Sequence, residues 1–400
     1  MKMNKKILTL LGTGHAITDI SQGALSMMLV FLQPAFVLSQ VQIGMVMLAF
    51  NLSSSVIQPV FGIFSDRFRA AWLIPMGCLV SGAGLALTGF STNYPVLLFI
   101  ALVSGLGVAA YHPEGSKYAR LASGPRKATG MSIFSMGGNL GFAAGPVLAT
   151  YFFGLAGLHG SAGFFILNSL MALLLWIFLP RVTAIHGVSG DTAGTAKTAP
   201  HAARSASKDR PWFVLPVLLL VAVVIMRSFV HVGLVTFLPQ YYVQYLQQSE
   251  KYAAAITSLF LFAGVFGTMV GGPAADRWGL KNIIVISMAS LIPLLYLFVH
   301  LHGFWTTILV ALMGFVIIST FSATVVLGQE MMPNNVGLAS GLLLGFGIGM
   351  GGVGATMLGW VADRWELPAV FETLIIFPVI GLLLALLLPN REEITQKQQQ

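Results

Sequence analysis

Two pairs of ionisable side chains stand one helical turn apart inside otherwise apolar stretches of this sequence. His15 and Asp19 form the first pair, with Gln22 on the same helical face, and Arg227 and His231 form the second. At 1.5 Å of rise per residue, Asp19 lies roughly 18 Å into its stretch. A carboxylate buried at that depth is costly and has to face a partner or a water-filled cavity. Proton exchange and anion binding are the chemistry that these side chains offer.

Each pair allows more than one interpretation. Asp19 and His15 either exchange a proton or form a hydrogen-bond network that only joins helices. Arg227 cannot lose its proton and matches a carboxylate or phosphonate in a fork, so it either binds an anion or is a permanent counter-ion of Asp19 or Glu114. We expect proton coupling at Asp19 and His15. The predicted substrate-binding residues on these helices are Gln22, Arg227 and His231.

A third polar group, His112-Pro113-Glu114, interrupts another apolar stretch. Pro113 lacks an N–H and frees a backbone carbonyl one turn earlier, where the helix can kink or accept a polar ligand. We expect Glu114 to couple or gate proton movement; with Lys117 and Arg120 it also fits a simple helix-end network. His112 either contacts the substrate or packs in the core.

Membrane helices are the elements that must position these residues. Of the 400 residues, 56% are hydrophobic and 8% are charged, whereas soluble proteins have about 25% charged residues. Apolar runs of about 20 residues cross a hydrocarbon core, and a bilayer admits only helices or closed barrels. The sequence therefore predicts an all-α integral membrane protein with twelve spans. They lie at about 7–32, 40–65, 71–90, 95–118, 128–153, 161–180, 212–240, 252–275, 282–300, 304–329, 336–361 and 368–389.

The spans divide into two halves of six around one long polar stretch. This stretch is rich in Ala, Ser, Thr and Gly and cannot bury a core, so we expect a flexible linker. All Lys and Arg residues except Arg227, Lys251 and Arg364 fall on one side, which the positive-inside rule makes the cytoplasm. Both termini are then cytoplasmic. The predicted units are a six-helix bundle at 1–180, a cytoplasmic linker at 181–211, a second six-helix bundle at 212–390 and a cytoplasmic tail at 391–400.

A Gly-x-x-x-Asp-Arg motif occurs three times at the ends of predicted spans. The first two copies lie about half the chain length apart, and an inverted repeat of three helices explains a third copy at the opposite face. Glycine lets helices approach closely, and the aspartate can hold a neighbouring helix N-terminus, so we expect a gating motif. The alternative is an ordinary helix-end charge pair. The copies are Gly62 with Asp66 and Arg67, Gly272 with Asp276 and Arg277, and Gly359 with Asp363 and Arg364.

Six plus six spans, a central linker and this motif after spans two and eight resemble the major facilitator superfamily over the whole chain. Within it, the chain is similar to the fosmidomycin-resistance type of exporter. The resemblance implies that spans one, four, seven and ten surround the substrate cavity and that the motif latches the cytoplasmic side. The residues that carry it are Gly14-His15 through Asp19, Ser53-Ser54-Ser55 through Gln58-Pro59, His112-Pro113-Glu114-Gly115, and Ser132-Ile133-Phe134-Ser135 with Gly137-Gly138-Asn139 through Gly145-Pro146.

Span five resembles the Gly-x-x-x-Gly-Pro signature of drug–proton antiporters, in which a bendable helix couples two gates. Close helix packing and a kink follow from the same residues on physical grounds alone. The basic residue that such antiporters usually have in span four is missing around 104–107, which shifts the expected proton site to Asp19 and Glu114. The signature residues are Gly137, Gly138, Gly141, Gly145 and Pro146.

These features predict proton-driven efflux of a small organic molecule across a bacterial inner membrane by alternating access. The resemblance implies phosphonate antibiotics such as fosmidomycin as substrates. Uptake of a small anionic metabolite is one alternative, and a transport-inactive sensor or scaffold is another. The sequence has no Walker loop, metal-ligand cluster or nucleophile with a base, so we expect no enzyme activity, cofactor or metal. The expected partners are the substrate, protons and lipid, with no nucleic acid, and we expect a monomer.

Overall fold

The structure is a computed structural model. It describes residues 3–68, 70–190, 214–301, 303–332, 339, 341–390, 393, 394 and 396, without the side chains of 65–67, 127–129, 186–190, 341, 344 and 348. Every regular element in these residues is a helix, as the sequence predicts. The helices are Lys5–Phe36 (α1), Gln40–Asn51 (α2), Gln58–Phe68 (α3), Leu73–Leu87 (α4), Tyr94–Ala122 (α5), Lys127–Ala156 (α6), Ala162–Gly190 (α7), Val214–Gln240 (α8), Glu250–Trp278 (α9), Leu280–His300 (α10), Phe304–Ser319 (α11), Phe321–Met331 (α12), Gly351–Leu374 (α13) and Ile376–Leu386 (α14).

Ten stretches of the described chain are long and apolar enough to cross a membrane. Two of them exceed one crossing, since Gly130–Ile185 has 56 residues and Gly351–Leu386 has 36, against about 20 for a single span. The 3₁₀ turn Gly157–Ser161 interrupts the first. Trp365 and Glu366 leave helical geometry in the second, with Glu366 at φ 66°. With two crossings in each, the helices accommodate the twelve predicted spans.

The helix at the end of the first bundle is longer than the sequence suggests. We placed the start of the linker at residue 181, but α7 continues to Gly190. Val182 and Ile185 are buried in a core cluster of the first bundle, and no proline stops the helix between 181 and 190. The rest of the predicted linker, 191–211, lies outside the described residues.

Helices α1 and α6 approach each other along a row of glycines. A Cβ atom on any of three α6 glycines would collide with the backbone of α1, so only glycine permits this separation. His15 and Asp19 lie on the part of α1 that α6 covers. The three α6 glycines and the α1 residues they face are Gly137 with Gly12, Gly141 with Ala16, and Gly145 with Gly23 and Ala24.

The two bundles, α1–α7 and α8–α14, meet closely at one end of the molecule. We call the end where α1 begins the terminal face and the end where α1 finishes the far face. Towards the far face, α2 packs on α13, because a Cβ at Gly44 would lie 2.5 Å from Ala355 O and one at Gly359 would collide with the backbone of Gln40. The bundles are therefore closed against each other at the far face.

The equivalent glycines near the terminal face have much more room. Among the described residues, a Cβ at Gly62 would meet only Pro113 within 4 Å, at 3.9 Å, and one at Gly272 would meet only Ser322, at 3.8 Å. Each neighbour belongs to the glycine's own bundle. In the described part of the chain, these two motif glycines therefore lack the close contact with the opposite bundle that Gly44 and Gly359 make towards the far face.

Candidate functional site

A cluster of three ionisable side chains joins α1 to α5 in the first bundle. Asp19, near the middle of α1, lies between His15 and His112. Its Oδ2 is 3.1 Å from His15 Nε2 and its Oδ1 is 2.8 Å from His112 Nε2. Asp19 and His15 are buried, whereas the His112 side chain is 21% exposed and is the most accessible member. The structure thus adds His112, from a helix far along the chain, to the pair that the sequence placed on one helical face.

Each histidine has a second partner that fixes its ring. His15 Nδ1 donates to the carbonyl of Phe134 on α6 at 2.8 Å, and the two rings stack with centroids 4.1 Å apart. His112 Nδ1 lies 2.9 Å from Gln58 Nε2 on α3. The cluster therefore connects four helices of the first bundle, so a change in its charge reaches all four.

Gly138 of α6 lies directly over the contact between His15 and Asp19. A Cβ added there would be 2.5 Å from His15 Nε2 and 2.7 Å from Asp19 Oδ2. Any larger residue would have to displace one of the two side chains. This packing gives the glycine a role at the cluster in addition to the helix bending that the sequence suggested.

The same three residues also meet the distance requirement of a metal site. One ligand atom from each of His15, Asp19 and His112 lies within 4.8 Å of the others. The sequence did not indicate this grouping, because His112 and Asp19 are 93 residues apart in the chain and lie on different helices. Distances alone do not show whether the cluster binds a metal ion or a proton. The hydrogen-bond partners of the two histidines decide between these possibilities.

Arg227 lies at the midpoint of α8 and is 5% exposed. Its Nη1 donates to the hydroxyls of Thr320 and Thr324 at 3.3 and 3.5 Å, and its guanidinium carbon is 5.5 Å from the centre of the Phe321 ring. In the part of the chain that the structure describes, no carboxylate pairs with it. Asp19 binds two histidines instead, so the counter-ion interpretation has no support in this conformation.

His231 follows Arg227 by one turn and reaches the seam between the bundles. Its ring lies 6.0 Å from that of Phe142 on α6 and 5.7 Å from that of Phe260 on α9. Its Nε2 is buried without a hydrogen-bond partner among the described residues. Gln22, predicted to contact substrate, is half-buried on α1. Arg227 and His231 together present donors that the described protein atoms leave largely unused.

Glu114 lies apart from the cluster. It follows His112 by two residues, which puts it on a different face of α5, and its Oε1 accepts from Lys117 Nζ at 3.3 Å. The ion pair favours the helix-end network over the proton-coupling role that we preferred from the sequence.

The third copy of the Gly-x-x-x-Asp-Arg motif makes a contact between the bundles at the far face. Asp363 Oδ1 accepts from the backbone N–H of Gln40 at 2.6 Å, and Oδ2 accepts from that of Val41 at 2.9 Å. These are the first N–H groups of α2, which have no partner within their own helix. The carboxylate also meets the positive end of the helix dipole. An aspartate on α13 thus holds the start of α2.

Four glutamines extend this contact across the seam. Gln40 Nε2 donates to Gln244 Oε1 at 2.9 Å, and Gln244 Nε2 donates to Gln33 and Gln240. Two come from each bundle, so the network joins them with neutral groups. The sequence contains one signal of this cluster that we did not use: polar side chains at the ends of apolar helices, with Gln240 and Gln244 one turn apart.

The other two motif copies make fewer described contacts. The side chains of Asp66 and Arg67 lie outside the described residues, and those of Asp276 and Arg277 are exposed at the end of α9. Arg364 is exposed beside Asp363. In this conformation the motif therefore engages the opposite bundle at the far face through Asp363.

Comparison with known proteins agrees with this architecture. The model of the Major Facilitator Superfamily matches residues 11–346. The fosmidomycin resistance protein of Escherichia coli (strain K12) is 33% identical over 388 residues, which cover 97% of this chain and 94% of that protein. An uncharacterized MFS-type transporter of Bacillus subtilis (strain 168) is 29% identical over 391 residues, 98% of this chain and 94% of that protein.

Solved structures show the same fold. A bacterial homologue of the human lysosomal transporter Spinster, in an inward-facing and occupied conformation, has a TM-score of 0.78 at 16% identity, covering 96% of this chain and 97% of that one. A D-xylose–proton symporter has a TM-score of 0.69 at 17% identity, covering 96% and 97%. The family match, the identity over nearly the whole chain and the shared fold lead to one conclusion: this protein belongs to the Major Facilitator Superfamily, whose members are membrane transporters.

Proposed function

We propose that this transporter exports a small anionic organic molecule in exchange for protons. The observation that supports this most is a buried carboxylate at the middle of a membrane helix, Asp19, held between two histidines. Ionisable groups inside membrane segments are costly and mark ion pathways or proton relays. A scaffold or sensor has no need of such a cluster.

Proton binding at Asp19 changes the contacts between helices. The cluster ties α1 to α5 through His112 and to α6 through His15, whose ring nitrogen binds Phe134 O. Adding or removing one proton changes the charge of this buried group, and unpaired charge is far more costly there than in water. The geometry therefore supports a coupling of protonation to the packing of the first bundle.

Arg227 provides the second part of the proposal. A guanidinium has five N–H donors, and the described contacts use only Nη1, at long distances to two threonine hydroxyls. A buried, unpaired cation is strongly unfavourable unless an anion joins it. A phosphonate or carboxylate would accept two parallel hydrogen bonds from the remaining nitrogens. A phosphonate such as fosmidomycin has the oxygen acceptors for these two bonds, and the similarity to the fosmidomycin resistance protein of Escherichia coli supports that class.

The contacts at the two faces support alternating access. Asp363 and the glutamine cluster join the bundles at the far face, whereas among the described residues a Cβ at Gly62 or Gly272 would meet no atom of the opposite bundle within 4 Å. We place the terminal face in the cytoplasm of a bacterial inner membrane, because the basic residues concentrate at that side. Reporter fusions at Lys5 and in the 191–211 segment should report the cytoplasm, and a fusion near Lys251 the opposite side. An external signal from the 191–211 fusion would contradict this orientation.

Asp363→Asn should open the far face. The variant loses the charge that faces the start of α2 and keeps one acceptor, which weakens the seam by about 1–2 kcal/mol and shifts the equilibrium between the two conformations roughly 5- to 30-fold. Spin labels at Val37→Cys and Gln247→Cys, both exposed at the far face on opposite bundles, would report longer distances. Cys78 is buried and does not compete for the label.

The matched change at the other face is Asp66→Asn. If the motif copies latch opposite faces, this variant should shorten the distances between the labels at positions 37 and 247 that Asp363→Asn lengthens. Equal distances in wild type and Asp363→Asn would show that the carboxylate does not stabilise the closed far face.

Fosmidomycin accumulation in everted membrane vesicles tests the proposed function. Respiration makes the vesicle lumen acidic, so a proton antiporter should concentrate fosmidomycin inside, and a proton ionophore should prevent it. D-xylose and a carboxylate of similar size serve as comparison solutes. If only the carboxylate accumulates, the substrate class is carboxylates and not phosphonates. If no anion accumulates, proton-driven export is contradicted. Proton-coupled uptake would appear as loss of preloaded anion from energised everted vesicles.

A further inference from the structure

Gln58 determines which nitrogen of His112 holds a hydrogen. Its Nε2 donates to the carbonyl of Ser54 at 2.8 Å and also lies 2.9 Å from His112 Nδ1. The carbonyl can only accept, so the atom facing both partners is the amide nitrogen, with one hydrogen for each. His112 Nδ1 must therefore accept. A neutral imidazole has one donor and one acceptor nitrogen, so the hydrogen of His112 is on Nε2 and points at Asp19 Oδ1.

His15 is fixed in the opposite sense. Its Nδ1 faces the carbonyl of Phe134, which only accepts, so Nδ1 has a hydrogen. In the neutral ring, Nε2 is then an acceptor, yet it lies 3.1 Å from Asp19 Oδ2. Two acceptor atoms, here His15 Nε2 and Asp19 Oδ2, repel each other at 3.1 Å unless a hydrogen lies between them. One additional proton must lie on His15 Nε2 or on Asp19 Oδ2.

We infer that Gln58 is a positioning residue that locks His112 as a neutral donor, and that the cluster consequently has one exchangeable proton, held between His15 and Asp19. Protonated, the pair is either imidazolium with carboxylate or imidazole with carboxylic acid. After the proton leaves, Nε2 and Oδ2 repel each other. Gly138 covers this contact from α6, so separation of the pair has to disturb the glycine seam between α1 and α6.

The same hydrogen-bond pattern argues against a metal ion. A metal on His112 Nε2 would require the hydrogen of the ring to be on Nδ1, where it would face the Gln58 N–H. Rotating the amide by half a turn would instead set Gln58 Oε1 against the carbonyl of Ser54. The hydrogen bonds of Gln58 and His112 are therefore compatible with a bound proton. A bound metal ion would leave the Gln58 N–H without an acceptor.

Of the other titratable groups nearby, all but His231 have a hydrogen-bond partner among the described residues. Helices packed against α1 bring several of them towards the cluster. The Tyr111 hydroxyl donates to Leu11 O, the Cys78 thiol to Asn168 O, Lys117 to Glu114, and Arg227 to Thr320 and Thr324, with His231 one turn beyond Arg227.

Solid-state NMR of the full-length protein in lipid, with histidine ¹⁵N-labelled at Nδ1, tests this assignment. The His112 signal is identified by its loss in His112→Asn. Between about pH 5 and 8, where histidine ordinarily titrates, we expect His112 Nδ1 to stay in the unprotonated range and His15 Nδ1 in the protonated range. In Gln58→Met, which keeps the length but removes the donor, the His112 Nδ1 signal should move wholly or partly to the protonated range.

Asn51→Met is the matched control. Among the described residues the side-chain amide of Asn51 donates to Met47 O in its own helix and has no contact with His112, so the His112 signal should not move. A protonated His112 Nδ1 in the wild type overturns the inference, as does an unchanged signal in Gln58→Met. A shift of both histidines on adding Zn²⁺ would show a metal site instead. The inference rests on the proposed proton coupling for its significance, but these spectra need neither substrate nor gradient. A wrong tautomer and an absence of transport are therefore distinguishable results.

Discussion

Asp19→Asn should abolish concentrative transport while leaving passive exchange of substrate. Asparagine keeps the size and one oxygen but cannot bind the exchangeable proton, so the proton gradient no longer does work on the substrate. Exchange of labelled for unlabelled substrate needs no net proton movement and should persist. Vesicles with an imposed pH gradient measure the first activity, and counterflow without a gradient measures the second.

Glu372→Gln is the matched control, since Glu372 is an exposed carboxylate on α13. It should transport as the wild type does. If Asp19→Asn still builds a proton-dependent gradient at the wild-type rate, the coupled proton binds elsewhere, and Glu114 is the next candidate. Loss of exchange together with concentrative transport would mean that Asp19 supports folding or substrate binding instead.

Arg227→Lys should weaken substrate binding by about 1.5–3 kcal/mol, roughly a 10- to 150-fold higher Kd. Lysine keeps the positive charge but lacks the planar fork that donates two parallel hydrogen bonds. The protein should still fold, because in the described residues Arg227 makes only long contacts with two threonines and a ring contact. Fosmidomycin binding to the purified protein, measured by calorimetry, gives the Kd directly.

Arg181→Lys is the control for this change. Arg181 also lies over a phenylalanine ring, 4.9 Å from the centre of Phe178, but is exposed on α7. Its replacement should leave the Kd unchanged. Equal affinity in Arg227→Lys and wild type would remove the physical support for an anionic substrate.

The fold was largely predictable because the bilayer thickness sets the length of each membrane crossing. Apolar runs of about 20 residues give the crossings directly. The end of α7 at Gly190 was not predictable, because positions 182–190 mix apolar, polar and glycine residues and have no continuous apolar run. The break at Trp365 and Glu366 fell between two predicted spans, where apolar residues stop for a few positions.

The site was predictable only where its residues share a helix. The spacing of His15 and Asp19 indicated their contact, because residues four apart lie on one helical face. His112 and Gln58 come from other helices, and periodicity contains no information on which helices meet. The sequence indicated Gln58 only as one of the residues that carry the family resemblance, without a role in the site. The sequence showed Arg227 to be an unusual cation, but its lack of a carboxylate partner among the described residues could be seen only in the folded chain.

Proton flux in proteoliposomes is the most direct test of proton-coupled export. Vesicles loaded with fosmidomycin and a pH-sensitive dye are diluted into substrate-free buffer, with the membrane potential held at zero by valinomycin and equal potassium. We expect the lumen to acidify as substrate leaves, because protons enter in exchange, and we expect no such acidification with Asp19→Asn. Substrate loss at constant lumenal pH, or with alkalinisation of the lumen, would contradict it.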